Sequence, residues 1–209
     1  MVDMNDLIKR YPSLEKCKEE ISALTDLLIG AYEKGGKLLI CGNGGSAADC
    51  EHISGELLKG FMNKRPLSDG KKAKMRELCP EIEDSALDGL QMGLAAIPLT
   101  SLSALNSAFA NDVDPDLVYA QSVMALGNDN DVLLAISTSG NAKNVVNAAK
   151  VAKALGMSVI GLCGESGGKL KGFCDVCVCV PECETYKVQE LHLPVYHYVC
   201  EEIEKYFFG

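Results

Sequence analysis

The stretch Leu38-Leu39-Ile40-Cys41-Gly42-Asn43-Gly44-Gly45-Ser46-Ala47-Ala48-Asp49-Cys50-Glu51-His52-Ile53-Ser54-Gly55-Glu56 runs an aliphatic segment into a glycine-rich turn and then into residues of helical spacing. The continuous apolar run from Lys37 to Cys41 predicts a strand buried on both faces, as in a parallel sheet. Glycines let the backbone turn tightly and approach a ligand, and the free N–H groups and dipole of the helix that follows favour an anion there. Asn43, Gly44, Gly45 and Ser46 are thus candidate phosphate contacts. Ser46 is expected both to cap the helix and to donate its hydroxyl. Further along, His52 and Glu56 are four residues apart and share one helix face. They read as an acid/base pair, as two metal ligands, or as an ordinary solvated pair.

Outward from this turn, the composition narrows the class. With 209 residues, 47% of them hydrophobic, the chain has enough for one substantial core and too little for two comfortable domains. Met1-Val2-Asp3-Met4-Asn5-Asp6 is polar and acidic without an apolar leader segment, so the ten cysteines point to a reducing cytoplasm rather than to disulfides. Cys41, Cys163, Cys177 and Cys179 lie in aliphatic runs, where free cysteine behaves as a small hydrophobe. Cys174 and Cys177 have CxxC spacing and invite a zinc reading. A second CxxC is missing, and Cys177-Val178-Cys179-Val180 alternates like a strand. A net charge of −9 with no basic run longer than Lys71-Lys72-Ala73-Lys74 argues against direct nucleic-acid binding. No apolar stretch reaches the roughly 20 residues that cross a bilayer.

Helices are expected from Asn5 to Arg10 and, capped by Ser13, onward to about Lys34, making 1–36 an N-terminal helical segment. After the glycine turn and its helix, a charged stretch precedes a short helix predicted from Glu81 to Leu94. A short strand at Ile97-Pro98-Leu99-Thr100 and a helix from Ser101 to Ala110 lead to Asn111-Asp112, which reads equally as part of a site or as a turn before the Asp114-Pro115 cap. A strand from Asp131 to Ile136 then delivers Ser137-Thr138-Ser139-Gly140-Asn141 at its carboxyl end, just before a helix through Leu155. Three adjacent hydroxyls at such a junction make a second anion cradle, where open α/β sheets bind ligands. Strands from Met157 to Cys163 and from Cys174 to Val180 follow, and a final helix runs from Glu184 to about Tyr206. The alternation predicts an α/β fold, doubly wound, with a mainly parallel sheet flanked by helices and long N- and C-terminal helices. In the last helix Gln189 and His197 lie eight apart on one face, and Pro194 removes the bond to the Glu190 carbonyl.

Cys41-Gly42-Asn43-Gly44-Gly45-Ser46-Ala47-Ala48-Asp49 followed by His52 and Glu56, together with Gln189-Glu190-Leu191-His192 and His197, resembles the sugar-isomerase (SIS) domain family and within it the phosphoheptose isomerases. The resemblance spans nearly the whole chain as a single SIS domain, 1–209, and marks 67–96 as an inserted segment. It implies conversion of sedoheptulose 7-phosphate to D-glycero-D-manno-heptose 7-phosphate through an enediol, with Glu56 as the base and His197 as the acid/base on oxygen. It also implies that Ser137, Thr138 and Ser139 hold the phosphate and that Asp112 and Gln189 join the site. A zinc ion on His52, Glu56, Gln189 and His197 is implied as well, and a cytoplasmic homotetramer with sites between subunits. Three positions depart from the pattern: Ala142 stands where a further serine is common, Gly60 where an arginine follows the glutamate, and Lys187 where an arginine precedes Gln-Glu. Related members act instead as tetrameric adaptors for the replication initiator; that role, and a phosphosugar sensor that binds without turnover, are the competing expectations.

Overall fold

The computed structural model describes residues 3–209; Met1 and Val2, at the head of the polar N-terminal stretch, lie outside the described residues. The chain forms helix α1 (Met4–Arg10), a 3-10 stretch at Pro12–Cys17, helix α2 (Lys18–Glu33), strand β1 (Leu38–Cys41) and helix α3 (Gly45–Leu58). Helices α4 (Asp69–Leu78) and α5 (Asp84–Gly89), strand β2 (Ala96–Pro98) and helices α6 (Ser103–Asp112) and α7 (Val118–Leu126) follow. The remainder is strand β3 (Val132–Ser137), helix α8 (Lys143–Ala154), strands β4 (Ser158–Cys163) and β5 (Val176–Cys179), and helix α9 (Thr185–Phe208).

All strand pairings in the five-stranded sheet are parallel, in the order β2-β1-β3-β4-β5. Period-two geometry splits each strand between two layers. Leu38, Ile40, Leu134, Ile136, Ile160 and Leu162 pack with Ile21, Leu24 and Leu28 of α2, Ile53 and Leu57 of α3 and Val195 and Val199 of α9. Leu39, Cys41, Leu133, Ala135, Val159 and Cys163 pack on the opposite side with Val123 of α7 and Val145 and Ala149 of α8. With both faces covered, the strands read as unbroken apolar runs, as the fold class requires. The order also places a switch point: the chain leaves β1 toward β2 on one side and returns to β3 on the other, so the turns after β1 and β3 open side by side.

Two local expectations are corrected. Ser13 does not start the long N-terminal helix; Pro12–Cys17 winds as a 3-10 segment that buries Leu14 and Cys17, and the α-helix begins at Lys18. The charged stretch before Glu81 is itself helical: Ser68 caps α4 by accepting from the Lys71 amide, and the helix expected over 81–94 shortens to α5. Ion pairs from Lys72 to Asp88 and from Arg76 to Asp84, both 2.6 Å, join the two helices over the buried Leu87. Such exposed pairs contribute little each, so the burial of Leu87 is the main anchor of this segment.

His192, one of three histidines in the chain, is wholly buried in α9. Burial drives its pKa down to about 4. The unfolded chain, with an ordinary imidazole near 6.5, therefore binds a proton that the folded state refuses between those values. Stability contributed by the neutral ring is complete above pH 6.5 and is lost as pH falls from 6.5 to about 4. We expect denaturant midpoints to fall across that window by up to ~3 kcal/mol in stability, a slope that His192→Gln flattens.

Candidate active site

The turn after β1 is built as the glycines demand. Gly44 takes φ +57°, a left-handed conformation, and serves as the N-cap of α3. A Cβ on Gly45 would lie 2.4 Å from Gln189 Nε2, so a side chain there would push the Gln189 amide away from the turn. Ser46 is consequently not the cap: the helix starts at Gly45 and Ser46 is its second residue, buried at the cavity wall. The cavity, about 290 Å³, is lined by Asn43, Gly44, Gly45 and Ser46 from this turn and by Ser137, Thr138 and Ser139 from the end of β3, with Gln189 opposite. Ile136, Ala142, the N-cap of α8, and Thr185, the first residue of α9, complete the wall. Three helix N-termini thus converge on one cavity, each offering free N–H groups to an anion. Thr185 had a legible cue in the sequence, a hydroxyl at the start of a helix, but no motif marked it.

The two turns are tied together. Asn43 Nδ2 donates to Asn144 Oδ1 (2.9 Å), and Asn144 Nδ2 donates back to Asn43 Oδ1 (3.0 Å). Tyr119 Oη donates to the Gly42 carbonyl at 2.7 Å. Asp112 is not brought to the cavity. It is exposed, at the last residue of α6, and accepts a 2.8 Å bond from its neighbour Asn111.

Farther along α3 and α9 a second group assembles. His52 Nε2 lies 3.3 Å from Glu56 Oε1, and Lys59 Nζ lies 3.1 Å from Glu56 Oε2. The rings of His52 and His197 meet edge to face with centroids 5.0 Å apart, and Phe61 packs on the other side of His197 at 5.6 Å. Burial holds the His197 imidazole below its usual pKa; the neighbouring His52 adds to this and Glu56 opposes it. The ring is then neutral near pH 7, able both to accept and to give a proton. Tyr196 and Asp49, to which the sequence reading gave no role although Asp49 closes the glycine motif, support His52 from behind.

Gly60 explains one departure from the family pattern. A Cβ there would lie 2.3 Å from the Asn63 carbonyl oxygen and 2.9 Å from Gln91 Oε1, which accepts the Gly60 amide hydrogen. An arginine has no room, and the buried Arg65 is committed to Glu204, leaving Lys59 as the cation on Glu56. For the implied zinc, His52, Glu56 and His197 supply two imidazoles and a carboxylate, while Gln189 adds an amide oxygen two turns before His197 on α9. His197 Nε2 is buried and has no hydrogen-bond partner, an orphaned donor atom of the kind a metal satisfies. Among the described residues no group of three or more His, Cys, Asp and Glu side chains is placed to hold a metal ion. The fit therefore lies in donor chemistry and in that free nitrogen. The same finding applies to Cys174, Cys177 and Cys179.

A strand-to-helix glycine cradle, a serine/threonine cradle at the switch point and a carboxylate–imidazole group on the flanking helices define a phosphosugar domain. The SIS domain family model matches residues 3–87 and 89–164, and the chain belongs to that family. It stands there among the phosphoheptose isomerases. It is 39% identical over 195 residues to the phosphoheptose isomerase of Helicobacter pylori, covering 93% of this chain and 88% of that one. It is 41% identical over 186 residues to the enzyme of that name from Thiobacillus denitrificans, covering 88% and 81%. Among solved structures, phosphoheptose isomerase GmhA from Neisseria gonorrhoeae superposes with a TM-score of 0.76 at 32% identity, covering 96% of this chain and 94% of that one.

Proposed function

We propose that the chain is an aldose–ketose isomerase that converts sedoheptulose 7-phosphate to D-glycero-D-manno-heptose 7-phosphate. The observation that carries this reading is the His52–Glu56–His197 group set beyond a cavity walled by Ser46, Ser137, Thr138, Ser139 and three helix ends. Glu56 stands ten helical residues, ~15 Å, beyond Ser46 on α3, so the phosphate and the reacting carbons are held well apart, as a long phosphosugar needs. The relatives named phosphoheptose isomerase support the substrate. In this reading the phosphate anchors the sugar, Glu56 removes the proton from the carbon beside the carbonyl, and His197 moves protons on the oxygens, giving an enediol that collapses to the isomer. The direct test is sedoheptulose 7-phosphate with the purified protein, followed by NMR. Appearance of the aldoheptose phosphate, lost in His197→Ala, supports the reading. Saturable binding without turnover points instead to a sensor, and neither to the adaptor.

His52, Glu56, Gln189 and His197 would hold the zinc ion; when bound it polarises the carbonyl and stabilises the enediolate. Elemental analysis is expected to find zinc in the purified protein and to lose it in His52→Ala and His197→Ala. Zinc-free wild type with full turnover removes the ion from the reading. Ten unpaired cysteines support a reducing, cytoplasmic setting. Leu193 and Tyr206 of α9, both exposed, and the exposed Asp112 outside the cavity wall support a homotetramer with sites completed between subunits. Among the described residues no helix is long and apolar enough to cross a membrane.

A further inference from the structure

We propose that Cys177 is a site of oxidation by hydroperoxides, that Cys174 resolves it as a Cys174–Cys177 disulfide, and that this bond slackens the turn holding the phosphate. Four cysteines gather on one face of the outer strands. Cys163 ends β4, Cys177 and Cys179 alternate along β5, and Cys174 lies just before β5, all packed in the same apolar layer. Cys177 Sγ and Cys179 Sγ are 3.7 Å apart. Gly161 stands opposite Cys177 in the ladder, and a Cβ there would lie 2.7 Å from Cys174 Sγ and 2.8 Å from Cys177 Sγ. The two sulfurs therefore share the hole that the missing side chain leaves. The thiols of Cys163 and Cys174 donate to the Cys177 sulfur and, against burial, hold its pKa below the ordinary thiol value, with Lys171 adding to the effect. Thiolate is the form that attacks an oxidant. An open cleft of about 420 Å³ reaches Cys174 and Cys177, both half-buried, past the exposed Glu19 and Glu20. An uncharged peroxide passes that acidic rim more readily than an anionic disulfide does.

The chemistry balances with the peroxide alone. The Cys177 thiolate attacks one peroxide oxygen; the S–O bond forms, the O–O bond breaks, and the departing hydroxide takes a proton to leave as water. Cys174 sulfur then attacks the sulfenic sulfur; the S–S bond forms, the S–O bond breaks, and the Cys174 proton goes with the hydroxyl as a second water. Two thiols lose two electrons and one peroxide gains them. Cys179 is a poorer partner, because two residues along one strand span ~6.6 Å between Cα atoms, near the upper limit for a disulfide. Cys163 is wholly buried in β4, which is paired on both sides, whereas Cys174 sits in coil after the 3-10 turn Leu170–Phe173. That turn leads to the cradle. Cys174 Sγ donates to the Leu170 carbonyl at 3.3 Å, and the Leu170 amide donates to the Gly140 carbonyl at 2.9 Å. A Cβ on Gly168 would lie 2.5 Å from the Ser139 carbonyl oxygen, so loop and cradle are in direct backbone contact. Drawing the two sulfurs into bonding distance removes the Cys174 S–H and pulls on this backing. The link to ligand affinity rests on the phosphate role proposed above for Ser137, Thr138 and Ser139.

The test treats the reduced full chain with hydrogen peroxide at pH 7. Peptide mass spectrometry is expected to find the Cys174–Cys177 disulfide in the wild type and in Cys179→Ser, reversed by dithiothreitol. In Cys174→Ser the reaction should stop at the sulfenic acid, trapped on Cys177 by dimedone. Cys183 is the internal reference: it is exposed, and Glu165, 3.2 Å away, raises its pKa. Cys177 should react on the order of 10-fold faster than Cys183. By calorimetry, the Kd for sedoheptulose 7-phosphate is expected to rise about 3- to 10-fold in the oxidised wild type, the worth of one hydrogen bond, and to stay unchanged in peroxide-treated Cys174→Ser. Cys177 no faster than Cys183, a disulfide that omits Cys174 or Cys177, or an unchanged Kd in the oxidised wild type overturns the inference. Reduced protein that forms the disulfide but binds no sugar phosphate upholds the oxidation site and removes the phosphosugar reading alone.

Discussion

Glu56→Gln is expected to lower kcat on sedoheptulose 7-phosphate by about 10²- to 10⁴-fold, the contribution of a positioned general base, while sugar-phosphate binding persists. The reason is spatial. Glu56 lies ten residues along α3 from Ser46, ~15 Å at helical rise, and is absent from the wall of the phosphate cavity. The glutamine keeps the shape and can still meet Lys59 and His52, which lie 3.1 and 3.3 Å from the native carboxylate. What it lacks is a basic oxygen. Rates from NMR and affinity from calorimetry with the same sugar phosphate separate the two effects; turnover at the wild-type rate removes Glu56 from the role of base.

The largest stability effect is expected at Glu204. Its carboxylate is fully buried and holds Arg65 Nε at 2.7 Å, while also accepting from the Phe61, Met62 and Asn63 amides at 2.7, 2.7 and 3.0 Å. Burial alone would raise its pKa; the three amides and Arg65 outweigh that and hold it below the usual carboxylate value. Glu204→Ala strands a buried guanidinium and three amides together, a loss of about 3–5 kcal/mol, or on the order of 10 °C in Tm for a domain of this size. Arg65→Ala should cost less, because the carboxylate it leaves behind keeps its three amide donors. Thermal unfolding of the two variants decides the order, and equal losses would contradict it. The Glu204 variant should also lose activity, since the loop it holds carries Phe61 onto His197 and Arg65 onto the Glu56 carbonyl.

The sequence was most informative where structure is local. A buried strand, glycines at a turn and hydroxyls ahead of a helix are dictated by neighbours in the chain, so both cradles and the parallel sheet were readable before any fold was known. Cap assignment failed at Ser46 because Gly44 adopts a positive φ that no side chain needs to support, starting the helix two residues earlier than a serine cap would. At Ser13 a good capping residue was overridden by the burial of Leu14 and Cys17 on a tighter winding. The roles expected for Gln189 and His197 came from resemblance; spacing showed only that they share a helix face. The supports around the site were invisible in sequence for a simple reason. Tyr119 reaches Gly42 across 77 residues, Asn43 pairs with Asn144 across 101, and Tyr196 reaches Asp49 across 147. No local pattern encodes a contact that only the closed sheet creates.

The cavity that grips the phosphate has no lysine, arginine or histidine in its wall; its polar groups are hydroxyls, amides and helix ends. Phosphoryl transfer depends on cations that neutralise charge building on the departing group and its bridging oxygen. A neutral cradle of this kind tethers the ester without pulling electrons from its P–O bond. The phosphate is thereby kept a handle, and the substrate survives repeated cycles of carbon chemistry without being hydrolysed at the end by which it is held.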